Sequence, residues 1–182
     1  MRPHRRVRAA ATGIVAILVG ACGSTLQVSS HPMPDVAYAE LETWDWYPSA
    51  SLGVHDSRVD TSEVSEIVRQ SITRELAARG YRRDSIAPDF LVDYHGKLEQ
   101  KRVELVVRPY CPGDPEPPLS HREPYCREYE EGMLAIHLLD ARGKRIIWSC
   151  EARDEVDFTL SAVERRRRVE EAVHQILERF PN

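Results

Sequence analysis

Asp93 and His95 are the residues whose types and spacing come nearest to catalytic chemistry. They lie two positions apart in an alternating apolar segment, so both side chains project from one face of a predicted strand, roughly 7 Å apart. A carboxylate and an imidazole at that spacing can act as a general acid and base through a water molecule. The alternative is a surface pair, or a structural hydrogen bond on the sheet. Because no G-x-S-x-G or H-E-x-x-H motif accompanies them, a hydrolase is the least favoured function.

Four aromatic residues could form a platform that binds a glycan or a peptide. Trp44 and Trp46 alternate in phase and so point to one side of an early strand, where Tyr94 and Trp148 could join them. The competing interpretation places both tryptophans in the core, because each ring must bury a large apolar area. His137 has apolar neighbours, and we expect a structural histidine with satisfied hydrogen bonds there rather than a ligand.

Three cysteines in the second half of the chain suggest a disulfide and a free thiol. Cys111 and Cys126 flank a proline-rich stretch, and in an oxidising compartment a disulfide between them would close this loop. A metal site that adds His121 is the weaker alternative, since there is no C-x-x-C pair and no fourth ligand in view. We therefore predict no metal and no cofactor. Cys150 lies in an apolar run and is expected to be a buried free thiol.

The first 22 residues have the layout of an export signal, with four arginines before a short apolar segment. That segment is too short to cross a bilayer, which needs about 20 residues. It ends in Leu18-Val19-Gly20-Ala21-Cys22, which closely resembles a bacterial lipobox. The resemblance implies that residues 1–21 are removed and that Cys22 is lipidated. An ordinary signal peptide with a coincidental cysteine, or an uncleaved anchor, is the alternative.

Gly23, rather than an aspartate, follows Cys22, and in Gram-negative lipoproteins this implies transfer to the outer membrane. We therefore expect a lipid-anchored outer-membrane protein that faces the periplasm. Residues 22–35 lack periodicity and contain two prolines, as is typical of a flexible tether. The net charge of −4, from 25 basic and 29 acidic side chains, argues against a nucleic-acid partner. The oligomeric state is left open.

Residues 36–182 carry the periodicities of a single domain. Helical spacing predicts a first helix that begins at Asp60 and stops at Gly80, and a second that begins at Ser161 and stops at Pro181. Alternating or apolar runs predict strands at residues 36–47, 90–95, 103–107, 133–139 and 145–152.

Few helices and long hairpins favour an α+β fold. We expect a mainly antiparallel sheet of about four to five strands, with two helices packed on one face. A proline-rich loop is predicted at residues 109–126.

Several short segments follow the lipobox in a specific order. They are Thr43-Trp44-Asp45-Trp46, Gly80-Tyr81, Ala87 to His95, Gly143-Lys144 with Trp148, and Phe180-Pro181. Together they resemble the bacterial lipoprotein family called domain of unknown function 4136, from about Tyr38 to Pro181. The stretch from Pro109 to Cys126 departs from that pattern. The resemblance implies a periplasm-facing lipoprotein with an α+β domain, and it supplies no reaction and no catalytic residues.

Three functions are compatible with these residues. The first, and the one we favour, is a non-enzymatic binding or structural role toward another envelope component, either a protein or a glycan. The second is a carrier that holds a small ligand or a lipid, either on the sheet face opposite the helices or in a gap between the sheet and the helices. The third is a hydrolase that uses Asp93 and His95. A pocket of roughly several hundred Å³ lined by Trp44, Trp46 and Tyr94 would favour the carrier.

Overall fold

The computed structural model describes residues 26–54, 56–105 and 125–181. These residues form one sheet and two helices, together with a short 3-10 turn at Tyr38–Glu40. In chain order the elements are β1 (Gln27–Pro32), β2 (Thr43–Trp46), α1 (Thr61–Ala78), β3 (Arg82–Arg83), β4 (Phe90–Leu105), β5 (Tyr125–Asp140), β6 (Ile146–Glu155) and α2 (Ala162–Glu178).

Within the described residues the sheet has six strands in the order β1-β6-β5-β4-β2-β3. The pairs β1 with β6, β6 with β5 and β5 with β4 are antiparallel, whereas β2 runs parallel to both β3 and β4. The α+β class with two helices is therefore confirmed. The expected four to five mainly antiparallel strands need correction to six strands in a mixed sheet. The parallel pairs arise because α1 returns the chain to the end of the sheet where β2 began.

Three segments differ from their predicted form. The strand expected at residues 36–47 is confined to Thr43–Trp46 and is preceded by the 3-10 turn at Tyr38–Glu40. Residues 27–32 were expected in the tether and instead pair with β6, where Val28 packs against the core. Pro32 is tolerated there because β1 is an edge strand. The strands predicted at 90–95 and 103–107 are one continuous strand, and Gly96 pairs with Leu134 in it without a bulge.

The absence of a side chain at Gly96 lets a neighbouring loop pack on the strand. A Cβ at this position would lie 2.9 Å from Cδ1 of Leu52, a distance closer than side chains normally tolerate. The missing side chain therefore lets the loop at residues 50–54 lie directly on the strand, where the Gly96 N–H donates to the Leu52 carbonyl.

Both helices cover the same face of the sheet, and the hydrophobic core lies between them and that face. Asp60 accepts a hydrogen bond from the N–H of Glu63 and caps α1, while Ser161 and Glu164 form the predicted capping box of α2. The predicted helix faces are confirmed as core. They contribute the buried residues Ile67, Val68, Ile72, Leu76, Val173, Ile176 and Leu177.

Candidate ligand-binding cavity

An apolar cavity of about 220 Å³ lies between the helices and the sheet. The amino-terminal halves of both helices form its roof, and the middles of β4 and β5 with the carboxyl-terminal end of β6 form its floor. Side walls come from the connection that precedes α1 and from the connection that precedes α2. The apolar lining includes Leu52, Val54, Val64, Val68, Leu98, Leu134, Val156, Leu160, Val169 and Ala172.

Two glycines in the floor let the side walls approach the sheet. Gly96 makes room for Leu52, as described above. A Cβ on Gly132 would lie 2.8 Å from Cγ2 of Val156, so the connection that leads to α2 could not lie so close to any larger residue. Both glycines line the cavity themselves. The cavity is therefore built by backbone contact at two places and not by loose packing.

Charged side chains surround the apolar lining. Arg58 forms ion pairs with Asp56 at 2.7 Å and with Glu130 at 2.5 Å, and its guanidinium lies 4.5 Å from the centre of the Phe158 ring. The hydrogen bonds that Arg58 donates to Asp56 lower the pKa of Asp56 to about 2, and those that it donates to Asp56 and Glu130 raise the pKa of Arg58. Arg58 is therefore held in place as a fixed part of the wall.

Arg165 is the one lining residue with a buried donor that lacks a hydrogen-bond partner among the described residues. The atom is Nε. Its Nη2 lies 3.6 Å from a carboxylate oxygen of Glu63, which is too long for a strong hydrogen bond. Arg168 lines the same cavity, and its Nη1 reaches the Glu155 carbonyl at only 3.4 Å. These two arginines therefore have donors to offer to a ligand.

The predicted aromatic platform does not form an accessible surface. Trp44, Tyr94 and Trp148 are at most 1% exposed, because they pack in the core as the competing interpretation proposed. Trp46 is half-buried, with its ring centre 5.1 Å from that of Trp44, and Arg69 covers it at 4.0 Å. The three fully buried rings cannot contact a partner from solvent. All four lie outside the lining of the cavity.

Polar groups of the buried rings are satisfied within the domain. Trp148 donates from Nε1 to Oγ of Ser30 at 3.1 Å, and the Tyr94 hydroxyl is 2.6 Å from Oγ of Ser65. The first hydrogen bond connects β6 to β1, and the second connects β4 to α1. The aromatic residues therefore have a structural role in this fold.

Asp93 and His95 lie on the opposite face of the sheet, away from the helices. His95 stacks on His137 with ring centres 4.9 Å apart, and Asp93 accepts a hydrogen bond from the N–H of Tyr94 at 3.0 Å. Desolvation, and to a smaller degree the charge of His95, lower the pKa of His137. The expected satisfied histidine needs correction, because Nδ1 of His137 is buried without a hydrogen-bond partner among the described residues.

The strand register reveals a row of residues that the sequence did not indicate. Asp93, His137 and Ser149 are direct neighbours on β4, β5 and β6. A period-two pattern places residues on a face but not in register, so no sequence signal could have aligned them. Within the described part of the chain, no hydrogen bond joins these three side chains. The row therefore lacks the coupling that a nucleophile and its base require.

Cysteine predictions fall partly outside the described residues. Cys22 and Cys111 are not among them, and of Cys126 only the backbone is described, opposite Glu104. Cys150 is a buried free thiol, as predicted. Burial raises its pKa to about 11, so it is protonated at neutral pH.

In the described ranges, no three His, Cys, Asp or Glu side chains are grouped so that they could hold a metal ion. No described helix is long and apolar enough to span a membrane.

These features define a two-layer α+β domain with an apolar cavity between its layers. The chain belongs to the family described as domain of unknown function (DUF4136), since the sequence model of that family matches residues 28–182. The resemblance noted in the sequence is thereby confirmed. No curated protein matches this sequence.

Solved structures share the fold. A DUF4136 family protein from Bacteroides thetaiotaomicron superposes with a TM-score of 0.50 at 14% identity, over 86% of this chain and 96% of its own. A PDZ domain protein from Parabacteroides distasonis also gives 0.50 at 14% identity, over 87% of this chain; this chain spans 37% of that protein. The PelC dodecamer from Paraburkholderia phytofirmans gives 0.44 at 10% identity, over 84% of this chain and 94% of its own.

Proposed function

We propose that this protein is a lipoprotein of the outer membrane, anchored through Cys22 and facing the periplasm. Its folded domain binds an apolar component of the envelope and catalyses no reaction. The observation that carries this proposal is the cavity of about 220 Å³ between helices and sheet. The pocket expected for a carrier was to be lined by Trp44, Trp46 and Tyr94, which lie outside this cavity. The carrier is proposed instead on the apolar lining of the cavity itself.

The size of the cavity limits what it can hold. An apolar cavity of about 150 Å³ stays dry and binds benzene, so 220 Å³ accommodates an apolar group of roughly six to ten carbon atoms. A drug-sized molecule needs about 300 Å³ or more. A single alkyl segment fits better than a folded, multi-ring ligand.

The position of the cavity agrees with a membrane anchor. Leu26 lines it and lies four residues beyond Cys22, and four residues span at most about 14 Å. A lipid group on Cys22 would therefore hold this end of the domain close to the membrane. Apolar molecules that leave the bilayer would have a short path to the cavity.

The binding proposal is tested by filling the cavity. We expect the full chain to bind the neutral eight-carbon probe 1-octanol in calorimetry, and Val64→Phe to weaken that binding at least about tenfold, because the added ring occupies the space. Val163 is 78% exposed on α2 and does not line the cavity, so Val163→Phe is the matched control. Ala172→Leu is a second filling variant in case the first does not fold. Unaltered binding in a folded, filled variant would contradict the proposal.

The anchor is tested separately. Intact-mass analysis of native material should show residues 1–21 absent and Cys22 carrying acyl chains, and Cys22→Ala should release the protein from membranes. A retained leader or an unmodified Cys22 would contradict the anchor without affecting the cavity.

A further inference from the structure

We infer that the ligand is a linear single-chain amphiphile with an anionic head, whose alkyl chain enters the cavity while Arg165 and Arg168 bind the head. This inference rests on the proposed function and names the class of its ligand. Carboxylate and phosphate heads share the chemistry that two guanidinium groups recognise.

The two arginines act together because of their spacing on α2. Residues three apart are neighbours on a helix surface, and both line the cavity. Arg166 and Arg167, which lie between them, do not line it. The run of four arginines is thereby divided into two that face the ligand site and two that face elsewhere. Four consecutive charges in the sequence do not reveal this division.

The donors of Arg165 and Arg168 have remained largely free. Nε of Arg165 is buried without a partner among the described residues, and Nη2 of Arg165 lies 3.6 Å from the carboxylate of Glu63. Nη1 of Arg168 lies 3.4 Å from the carbonyl oxygen of Glu155. An unmade hydrogen bond from a buried donor costs free energy. A head-group oxygen at this place would accept from Nε and remove that cost.

Acidic residues also line the cavity, but the contacts in the structure already engage them. Asp60 caps α1, and Asp154 accepts from the N–H of Glu155. The carboxylate of Glu155 pairs with Arg127, and Asp157 accepts from Thr159 at 2.6 Å. The other two cations that line the cavity also form ion pairs. Arg58 pairs with Asp56 and Glu130, and Lys97 pairs with Glu99.

The dipole of α2 adds to the preference for an anion. Arg165 and Arg168 lie in the first two turns, next to the positive helix end, where cations are unfavourable and anions favourable. A bound anion would offset the repulsion between the arginines and the helix. The charge pattern of α2 thus has a physical reason if the cavity is occupied by an amphiphile.

The test compares three eight-carbon probes, octanoate, 1-octanol and octylammonium, by calorimetry on the full chain carrying Cys22→Ser, which removes the lipidation site. We expect octanoate to bind at least about tenfold more tightly than 1-octanol, and octylammonium most weakly. Arg165→Met and Arg168→Met should each reduce the preference for octanoate, while Arg167→Met should preserve it. Val64→Phe should abolish binding of all three.

The outcomes separate this inference from the proposed function. Equal binding of octanoate and 1-octanol to the folded wild-type cavity would overturn the role of the arginines and leave the apolar cavity in place. Absence of binding by all three probes would overturn both. The three probes can be compared on the chain that keeps both arginines. The test therefore remains possible even if an arginine variant does not fold.

A second comparison distinguishes a free amphiphile from an acyl chain on Cys22 as the occupant of the cavity. Leu26 lines the cavity close to Cys22, so an acyl chain of the protein itself is a competing occupant. Octanoate that binds to the Cys22→Ser chain but not to the lipidated chain would overturn a free amphiphile as the ligand. Equal binding to both forms supports it.

Discussion

Burial alters the chemistry of individual side chains on both faces of the sheet. On the face toward the helices, Cys150 is fully buried and its thiol resists ionisation. On the outer face, His137 is half-buried under the ring of His95 and resists protonation. Both groups are therefore held in their neutral forms, since desolvation is the largest cause of each shift.

Cys150 is predicted to be unreactive in the folded protein. Its pKa of about 11 leaves little thiolate at neutral pH, and its side chain is out of contact with solvent. Iodoacetamide should therefore modify it only after denaturation, as read by peptide mass spectrometry. Rapid modification of the native chain, with no loss of structure by circular dichroism, would show the thiol to be accessible.

His137 is predicted to make the protein less stable in mild acid. Its folded pKa lies below the ordinary value of about 6.5, so the unfolded chain binds more protons in that window. The stability it contributes is complete above about pH 6.5 and is lost as the pH falls toward its folded pKa. Between about pH 7.5 and 5.5, we expect the free energy of unfolding, measured with urea, to fall less in His137→Gln than in the wild type.

The matched control for this titration is His31→Gln, since His31 is exposed on the edge strand β1. This variant should retain the pH dependence of the wild type. The same loss of stability in His137→Gln and the wild type would place the acid sensitivity elsewhere.

At the scale of elements, specific side chains hold the parallel part of the sheet together. The carboxylate of Asp89, just before β4, accepts from the N–H groups of Glu42 at 3.0 Å and Thr43 at 2.8 Å, and from Oγ1 of Thr43 at 2.8 Å. These contacts connect β4 to the start of β2. The backbone hydrogen bond from Glu42, followed by those from Thr43, lowers the pKa of Asp89.

Asp89→Ala is predicted to lower the free energy of unfolding by about 1 to 3 kcal/mol, because two N–H groups and a hydroxyl lose a charged acceptor. Chemical denaturation measures the change. Exposed Glu178→Ala, at the end of α2, should change stability by no more than about 0.5 kcal/mol. An effect of Asp89→Ala as small as this would show that backbone pairing alone holds the two strands.

At the scale of the whole molecule, the two faces of the sheet differ in character. The helices and the inner face enclose the core and the cavity, whereas the outer face carries charged residues. Lys101 and Arg153 there flank Glu131, at 3.6 and 3.3 Å. Exposed ion pairs of this kind stabilise little, but they keep the outer face polar.

A disulfide between Cys111 and Cys126 is predicted to stabilise the whole domain. Cys126 lies in β5, and the loop that the disulfide would close is about 15 residues long, which corresponds to roughly 3 kcal/mol in the chain-entropy model. Non-reducing peptide mapping should show the bond, and Cys126→Ser or dithiothreitol should lower the unfolding midpoint. Cys150→Ser keeps both partners and should keep the bond. Free thiols at both positions in oxidised, native protein would contradict the prediction.

Much of the fold could be read from the sequence. The helical spacing and capping residues at Asp60 and Ser161 identified both helices, because caps and amphipathic faces are local properties. Alternation and apolar runs identified about half of the strand residues and marked Cys150 as buried. The class of fold followed from these local patterns, and the family from the resemblance of short segments such as Thr43-Trp44-Asp45-Trp46.

The sites were decided by the tertiary structure. The register that aligns Asp93, His137 and Ser149 and the burial of Trp44 depend on which strands pair. The cavity likewise depends on contacts between residues distant in the chain, such as Gly132 with Val156 and α1 with α2. A linear pattern specifies which face a residue occupies. It does not specify what packs against that face, because packing is settled only when all the layers come together.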